Sequence, residues 1–120
     1  MKPVDQLHQE ILKDDLDILI CPPSVLSYFV DIKSELRVKR IISVAEVLED
    51  VDRKKIESHF GLTLHQFYSS TEGEIAATCE HGTLHLNEGL MVIQKEWLDE
   101  EKGWYHPIIT DFRRKSQPII

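Results

Sequence analysis

The stretch LDILICPPSVLSYFVDIKSELRVKRIISV, residues 16–44, decides the fold class of this chain. Its first six residues, 16–21, form a short apolar run that is typical of a buried strand. Two prolines follow, and apolar residues then recur at helical spacing, which predicts a helix over residues 25–36 with Ser24 as its N-cap. A second buried strand is predicted at residues 40–44. Strand, helix and strand in this order indicate a right-handed crossover and a parallel sheet.

The flanking sequence extends this pattern in both directions. Apolar periodicity predicts a helix over residues 3–14. On the other side, Asp50 or Asp52 is a candidate cap for a helix that ends at Gly61. The side chains predicted to face inward on that helix are Val51, Ile56 and Phe60. A strand is predicted at residues 63–69, so the elements make β-α-β-α-β, half of a doubly wound α/β sheet.

After residue 70 the pattern becomes strand-like, with short turns and no helical periodicity. The strand-like segments are IAATC, TLHLNE, LMVIQKEWL and WYHPIITDF. Such a series predicts a β-rich, antiparallel meander. We therefore expect a single domain over residues 1–120, with an α/β part at 1–70 and a β-rich part at 71–120.

The composition excludes several classes of protein. The 120 residues carry a net charge of −7, which argues against a partner made of nucleic acid. No run approaches the roughly 18 apolar residues of a membrane span, so no membrane partner is expected. The amino terminus has no apolar core of a signal peptide. Cys21 and Cys79 do not make a disulfide framework, and the expectation is a cytoplasmic protein with free thiols.

The loop QFYSSTEG, residues 66–73, follows the third predicted strand, where open α/β sheets bind ligands. Its residue types suit a nucleotide. The face of Tyr68 can stack on a base, the hydroxyl of Thr71 can donate to a phosphate, and the carboxylate of Glu72 can bind magnesium. Two other interpretations remain open, since Ser69-x-x-Glu72 also matches a helix capping box and the segment has ordinary turn chemistry.

The same loop carries a resemblance to a known family. FYSSTEG resembles the Tyr-x-x-Thr-Glu motif of the adenylate-forming superfamily of acyl-CoA synthetases and related ligases. The longer run YSSTEGEIAATCEHGTLHLNE, with PIITDFRRKSQPII, is similar to a narrower branch. That branch holds phenylacetate–CoA ligase-like and coenzyme-F synthetase-like proteins, with relatives from capsule and phenazine biosynthesis. Two earlier segments, ICPPSVLSYF and IISVAEVLE, also match it, so the resemblance covers nearly the whole chain.

The resemblance implies roles for five residues. Tyr68 would stack on adenine, Thr71 would contact the α-phosphate and Glu72 would bind magnesium. Ala45 and Glu46 would border the nucleotide pocket. ATP and magnesium are the implied cofactors, and the implied reaction activates a carboxylic acid as an acyl-adenylate, which many relatives pass on to a thiol such as coenzyme A.

The chain also departs from the family pattern. Nothing in it resembles the Ser/Thr/Gly-rich phosphate loop or the lid domain with its catalytic lysine, and the sequence reaches Ile120 before the relatives' ribose-binding Gly-Asp. Gly89 stands where relatives tend to have an acidic residue. We therefore expect a middle slice of a roughly threefold larger enzyme, without catalytic residues of its own and inactive alone.

A zinc site is one alternative. Cys79, His81 and His85 form a C-x-H-x3-H group, with Glu88 or His106 as a candidate fourth ligand. The chain would then be a small zinc-stabilised binding protein. No paired C-x2-C knuckle supports this, and Cys79 could instead be a small buried hydrophobe.

A noncatalytic interaction module is the other alternative. If the chain is a slice of a larger sheet, its edge strands lack partners and its apolar faces lack cover. LDILIC at one end, and HPIITDF with QPII at the other, are the candidate surfaces. We expect a homodimer or a higher oligomer.

Overall fold

Five strands form one sheet, and two more form a separate hairpin. The computed structural model describes residues 3–71, 73–113 and 115–116. In chain order the elements are α1 (Val4–Ile11), β1 (Ile18–Cys21), α2 (Pro23–Asp31), β2 (Arg40–Ser43), α3 (Asp50–Phe60), β3 (Leu64–Ser70), β4 (Gly73–Thr78), β5 (Leu84–Leu86), β6 (Met91–Asp99) and β7 (Trp104–Asp111). The chain divides into two compact units, Met1–His85 and Leu86–Ile120.

The five-stranded sheet has the order β1-β2-β3-β4-β5. β1 pairs with β2, and β2 with β3, in parallel, which confirms the predicted β-α-β-α-β arrangement. β4 then returns antiparallel to β3. The parallel ladder ends where Ser43 lies beside Gln66, so the second half of β3 extends past β2 and pairs with β4. The predicted change to antiparallel pairing therefore falls within β3.

The core lies between α2, α3 and one face of the parallel strands. Its buried side chains are Leu19, Leu26, Phe29, Leu36, Ile41, Ile56 and Leu64. Each such side chain stabilises the fold by roughly 1.5–3 kcal/mol relative to an exposed one. Because strand side chains alternate, Ile18 and Ile20 point to the opposite face, where they are 49% and 56% exposed. Among the described residues, the helices therefore cover one face of β1.

α2 begins and ends earlier than predicted. Its N-cap is Pro22, with no side-chain cap, so the prediction of Ser24 as the cap is wrong. The helix ends because Lys33 adopts a left-handed φ of 52°. The backbone N–H of Ser34 donates to the carbonyl of Phe29 (2.9 Å), and that of Lys33 donates to Val30 (2.9 Å). This pair of bonds is a Schellman motif, which satisfies the last carbonyls of the helix.

α3 matches the prediction at its end and differs at its start. Gly61 stops it with a φ of 64°, as expected. The N-cap is Glu49, so neither Asp50 nor Asp52 caps the helix. Both aspartates lie in the first turn, where a carboxylate interacts favourably with the helix dipole. Ile56 is buried, but Val51 is 78% exposed, so its predicted inward orientation is wrong.

α1 is shorter than the predicted 3–14, and its buried side chain is polar. His8 is 6% exposed, and its Nε2 lies 2.7 Å from the Oγ of Ser34. The Tyr28 hydroxyl donates to the carboxylate of Asp5, which ties the same helix to α2. Leu7, on the predicted apolar face, is 43% exposed. Polar contacts thus contribute to the attachment of α1.

The second unit is built on the antiparallel β6–β7 hairpin, as the predicted meander requires. Gly103 adopts a φ of 72° in the connecting turn. Trp97 stands opposite Tyr105, and their rings meet edge to face with centroids 5.3 Å apart. The ammonium of Lys95 lies 4.8 Å from the Tyr105 ring centroid. A helix with the length and apolarity to span a bilayer is absent from the part of the chain that the structure describes.

Candidate functional site

A cavity of about 480 Å³ opens where β2 and β3 end. Its lining comes from the loop after β2, the end of β3 and the start of β5: Ala45, Glu46, Val47, Leu48, Gln66, Phe67, Tyr68, Ser69 and Leu84. The volume lies within the range of small-molecule pockets. The carboxyl ends of parallel strands are also the edge at which α/β sheets bind ligands.

The loop after β2 turns sharply at Ala45. This residue has a φ of 68°, and the backbone N–H of Glu46 donates to the carbonyl of Val44 at 2.9 Å. The two features describe a γ-turn, a rare turn for a residue with a side chain. A left-handed residue other than glycine costs on the order of 1–3 kcal/mol and persists only where its surroundings hold it.

Glu46 supplies part of that hold. Its carboxylate accepts hydrogen bonds from the backbone N–H of Ser24 (3.1 Å) and from the Ser24 hydroxyl (2.9 Å). Ser24 lies in the first turn of α2, where the helix dipole favours a negative charge. The structure therefore assigns Glu46 a contact with α2 that sequence reasoning missed, and the loop on one side of the cavity is tied to that helix.

Tyr68 stands on the other side of the cavity. It lies in the part of β3 that pairs with β4, opposite the fully buried Ala76. Its side chain is 48% exposed, so the ring is accessible to a ligand. Ala45, Glu46 and Tyr68, which come from separate stretches of sequence, thus line one cavity.

The rest of the predicted motif consists of Thr71 and Glu72. Thr71 is exposed in a turn and is not one of the residues that line the cavity. Glu72, the predicted magnesium ligand, lies outside the described residues. Ser69 is in a strand, so the capping-box interpretation is wrong. Ser70 pairs with Gly73, so β3 and β4 are the two strands of a β-hairpin.

Sequence reasoning missed several residues that line the cavity. Gln66 lies two positions before Tyr68, so strand alternation puts both on one face. That alternation was available as a signal. Leu48 follows the γ-turn, and Leu84 enters through the pairing of β5 with β4. No local pattern marks either of them, because their positions depend on the path of the loop and on sheet order.

The cysteine and histidines lie in and beside the turn between β4 and β5. Hydrogen bonds from the backbone of His81, the side chain of His85 and the backbone of Thr83 lower the pKa of Cys79 to about 7. His85 therefore contacts Cys79, as a shared site requires. His81 instead approaches Glu80, with Nε2 3.5 Å from the carboxylate.

One contact that a zinc site requires, between His85 and Cys79, is present in this arrangement. The described residues contain no group of three or more His, Cys, Asp or Glu side chains that could hold a metal ion. His106, one candidate fourth ligand, lies beside Glu96 with Nδ1 3.6 Å from the carboxylate. Zinc binding stays a prediction.

Comparison with known proteins gives a fold. No protein-family model and no curated protein matches the chain. Among solved structures, the chain is similar to apo MatB from Rhodopseudomonas palustris, with a TM-score of 0.59 and 14% sequence identity. The match covers 90% of this chain and 24% of the MatB chain, so the chain spans about a quarter of that protein's length. At this identity the likeness shows that the chain shares the fold of that portion of MatB.

Proposed function

We propose that this chain forms part of the nucleotide-binding region of an adenylate-forming ligase, and that the cavity beside Tyr68 receives an adenine nucleotide. One observation carries the proposal. Ala45 and Glu46 line the same cavity as Tyr68, and the family resemblance implies a nucleotide contact for all three. The similarity in fold to MatB, an adenylate-forming ligase, supports the same interpretation.

The residues of the cavity suit the parts of a nucleotide. The ring of Tyr68 stacks on the base, a contact worth about 0.5–1.5 kcal/mol beyond its buried area. The loop at Ala45, fixed through Glu46, forms the opposite wall. By the family resemblance, Thr71, which lies outside the cavity lining, would contact the α-phosphate. Glu72 would bind the accompanying magnesium.

The proposed reaction belongs to the whole enzyme. The carboxylate of an acid attacks the α-phosphorus of ATP, a phosphorus–oxygen bond forms, and pyrophosphate leaves. Magnesium, which Glu72 would hold, would supply neutralisation of the phosphate charge. A thiol such as coenzyme A then displaces AMP from the acyl-adenylate. Within the superfamily, the phenylacetate–CoA ligase and coenzyme-F synthetase-like branch is the proposed placement.

Titration of the 120-residue chain with magnesium-ATP, followed by ¹⁵N NMR, tests nucleotide binding. We expect shifts in the backbone signals of residues 45–48 and 66–69. Tyr68→Ala should weaken binding by about two- to tenfold, the equivalent of the lost stacking contact. Tyr105→Ala, on the hairpin, is the matched control and should bind like the parent chain. Shifts outside the cavity, or equal losses in the two variants, would contradict the proposal.

Self-association is a second candidate function, favoured by β1. β1 is an edge strand of the sheet, and Ile18 and Ile20 on it are about half exposed. An unpaired edge with apolar side chains is a template for another strand. A noncatalytic module that assembles through this edge is the function to be considered if no nucleotide binds.

A further inference from the structure

A second cavity, of about 500 Å³, lies toward the other end of the same strands. We call it the basin and define it by Arg40, Ile42, His65, Phe67 and Cys79, which contribute to its lining. Arg40 is the first residue of β2 and His65 the second of β3. The basin therefore approaches the amino ends of these strands, whereas the cavity beside Tyr68 lies at their carboxyl ends.

The floor of the basin is apolar. Ile42 alternates with the fully buried Ile41, so it projects from the face of β2 that points away from the helices. Phe67 lies on the same face of β3 as His65 and is 39% exposed. Ile42 and the partly exposed ring of Phe67 together form an apolar surface against which the apolar part of a ligand can pack.

The rim carries a cation that has no partner within the described residues. The guanidinium of Arg40 makes no hydrogen bond or ion pair there. Lys39 is already bound to Asp17 at 2.7 Å, and the carboxylate of Glu80 lies 3.5 Å from His81. A guanidinium presents a planar fork of donors that matches a carboxylate or a sulfonate. Arg40 is thus the group in the basin that can receive an anion.

His65 adds an oriented polar group. Its Nδ1 lies 3.1 Å from the Oγ1 of Thr78, and the same oxygen accepts the backbone N–H of Gln66 at 2.9 Å. The threonine is itself fixed by the strand ladder, so the imidazole ring is held through one nitrogen. The other nitrogen, Nε2, has no hydrogen-bond partner among the described residues and can therefore meet a ligand.

We propose that the basin binds a small organic anion, with its apolar body on Ile42 and Phe67 and its carboxylate or sulfonate on Arg40. His65 Nε2 makes a second polar contact. The basin shares Phe67 with the lining of the nucleotide cavity and is otherwise lined by different residues, and its occupation requires no nucleotide. Cys79, on the rim, is a reporter of whether the basin is filled.

The probe is 1-anilinonaphthalene-8-sulfonate, an aromatic body with one sulfonate whose fluorescence rises on transfer from water. Two readouts are taken on the intact chain: the fluorescence titration, and the rate of Cys79 alkylation by iodoacetamide, resolved by peptide mass spectrometry. We expect saturable binding that slows the alkylation of Cys79, with the same protection when magnesium-ATP is present. Saturable binding without protection of Cys79 would overturn the proposal, because the probe would then lie elsewhere.

The anionic contact is tested with variants and with a neutral probe. Arg40→Gln should weaken the sulfonate probe by about tenfold, the loss of one charge-assisted hydrogen bond. Arg37→Gln, an exposed arginine outside the basin, is the charge-matched control. N-phenyl-1-naphthylamine, which lacks the sulfonate, should bind both variants alike. Equal affinity of the sulfonate probe for the two variants, with folding checked by circular dichroism, would also overturn the proposal.

Discussion

The two cysteines of this chain show how far the surroundings of a residue change its chemistry. Burial raises the pKa of Cys21 to about 12, because the thiolate is the charged form and loses hydration. Backbone and side-chain hydrogen bonds lower the pKa of Cys79 to about 7. The thiolate is the nucleophile in alkylation. At neutral pH, Cys79 should therefore react with iodoacetamide well before Cys21.

Replacing the histidines should separate the causes of the shift at Cys79. His85 acts through its side chain, so His85→Ala should move the midpoint of the pH–rate profile for Cys79 alkylation upward, from about 7 toward the ordinary thiol value. Between these two values the parent chain should react faster than the variant. His81 acts through its backbone, so His81→Ala is the control and should keep the midpoint.

The same measurement bears on zinc. A bound metal would protect the Cys79 thiolate, and a chelator would then release it and accelerate alkylation. An unchanged rate in chelator, with no zinc by elemental analysis, would remove the zinc hypothesis.

For the two histidine variants, equal midpoints of the pH–rate profile would contradict the role of His85.

Glu46 gives a prediction for stability. Glu46→Ala removes both hydrogen bonds to Ser24, whereas Ser24→Ala removes the hydroxyl bond alone. The first change should lower the free energy of unfolding by about 1–2 kcal/mol and the second by less. Urea denaturation of both variants and of the double variant measures the coupling. Additive losses would show that the hydrogen bond between the Ser24 hydroxyl and the Glu46 carboxylate is absent in solution.

At the scale of the element, apolar runs and helical spacing were sufficient to predict the β-α-β-α-β order. They were insufficient at the ends of α2, because that helix stops where Lys33 takes a left-handed conformation, and periodicity contains no signal for this. Ser24 fits the residue preference of an N-cap, yet it bonds to Glu46 from inside the helix. Residue preference alone cannot tell these two partners apart.

The end of α2 gives a prediction for the free energy of unfolding, with a control variant that should change it in the opposite direction. A side chain at positive φ is strained by roughly 1–2 kcal/mol, and glycine relieves that strain. Lys33→Gly should therefore raise the free energy of unfolding by about 1 kcal/mol. Lys54→Gly, at an exposed position inside α3, should lower it by a similar amount. Urea denaturation distinguishes them, and destabilisation by Lys33→Gly would contradict the assigned backbone conformation.

The candidate site was predicted in part for a related reason. Tyr68 could be located because it lies at the end of a predicted strand, and the resemblance added Ala45 and Glu46. Leu84 could not be located, because it reaches the cavity through the sheet order of a later hairpin. Thr71 has a suitable hydroxyl but does not line the cavity, since the chain turns into β4 at that point.

At the scale of the whole molecule, the exposed face of β1 predicts association. Parallel sheets are almost always covered on both faces, and Ile18 and Ile20 lie on a face that the helices leave open. We expect a dimer or a higher oligomer that forms through this edge. Light scattering across a dilution series measures it. Ile20→Lys should shift the chain toward monomer, and Val51→Lys, at an exposed helical position, should not.

A monomer of 14.0 kDa at every concentration would contradict this prediction. If Val51→Lys dissociates the oligomer as Ile20→Lys does, the dissociation results from the added charge and not from a change in β1.

The γ-turn at Ala45 restricts which residues can occupy this position, and homologous sequences alone can test that restriction. A φ of 68° is open to glycine, asparagine and aspartate, costs alanine some strain, and is closed to branched side chains. A gene that encodes the same turn must therefore keep a codon for glycine, asparagine, aspartate or alanine at this position, even where the neighbouring residues change. Valine, isoleucine or threonine at the aligned position would mark a homologue whose loop has been rebuilt.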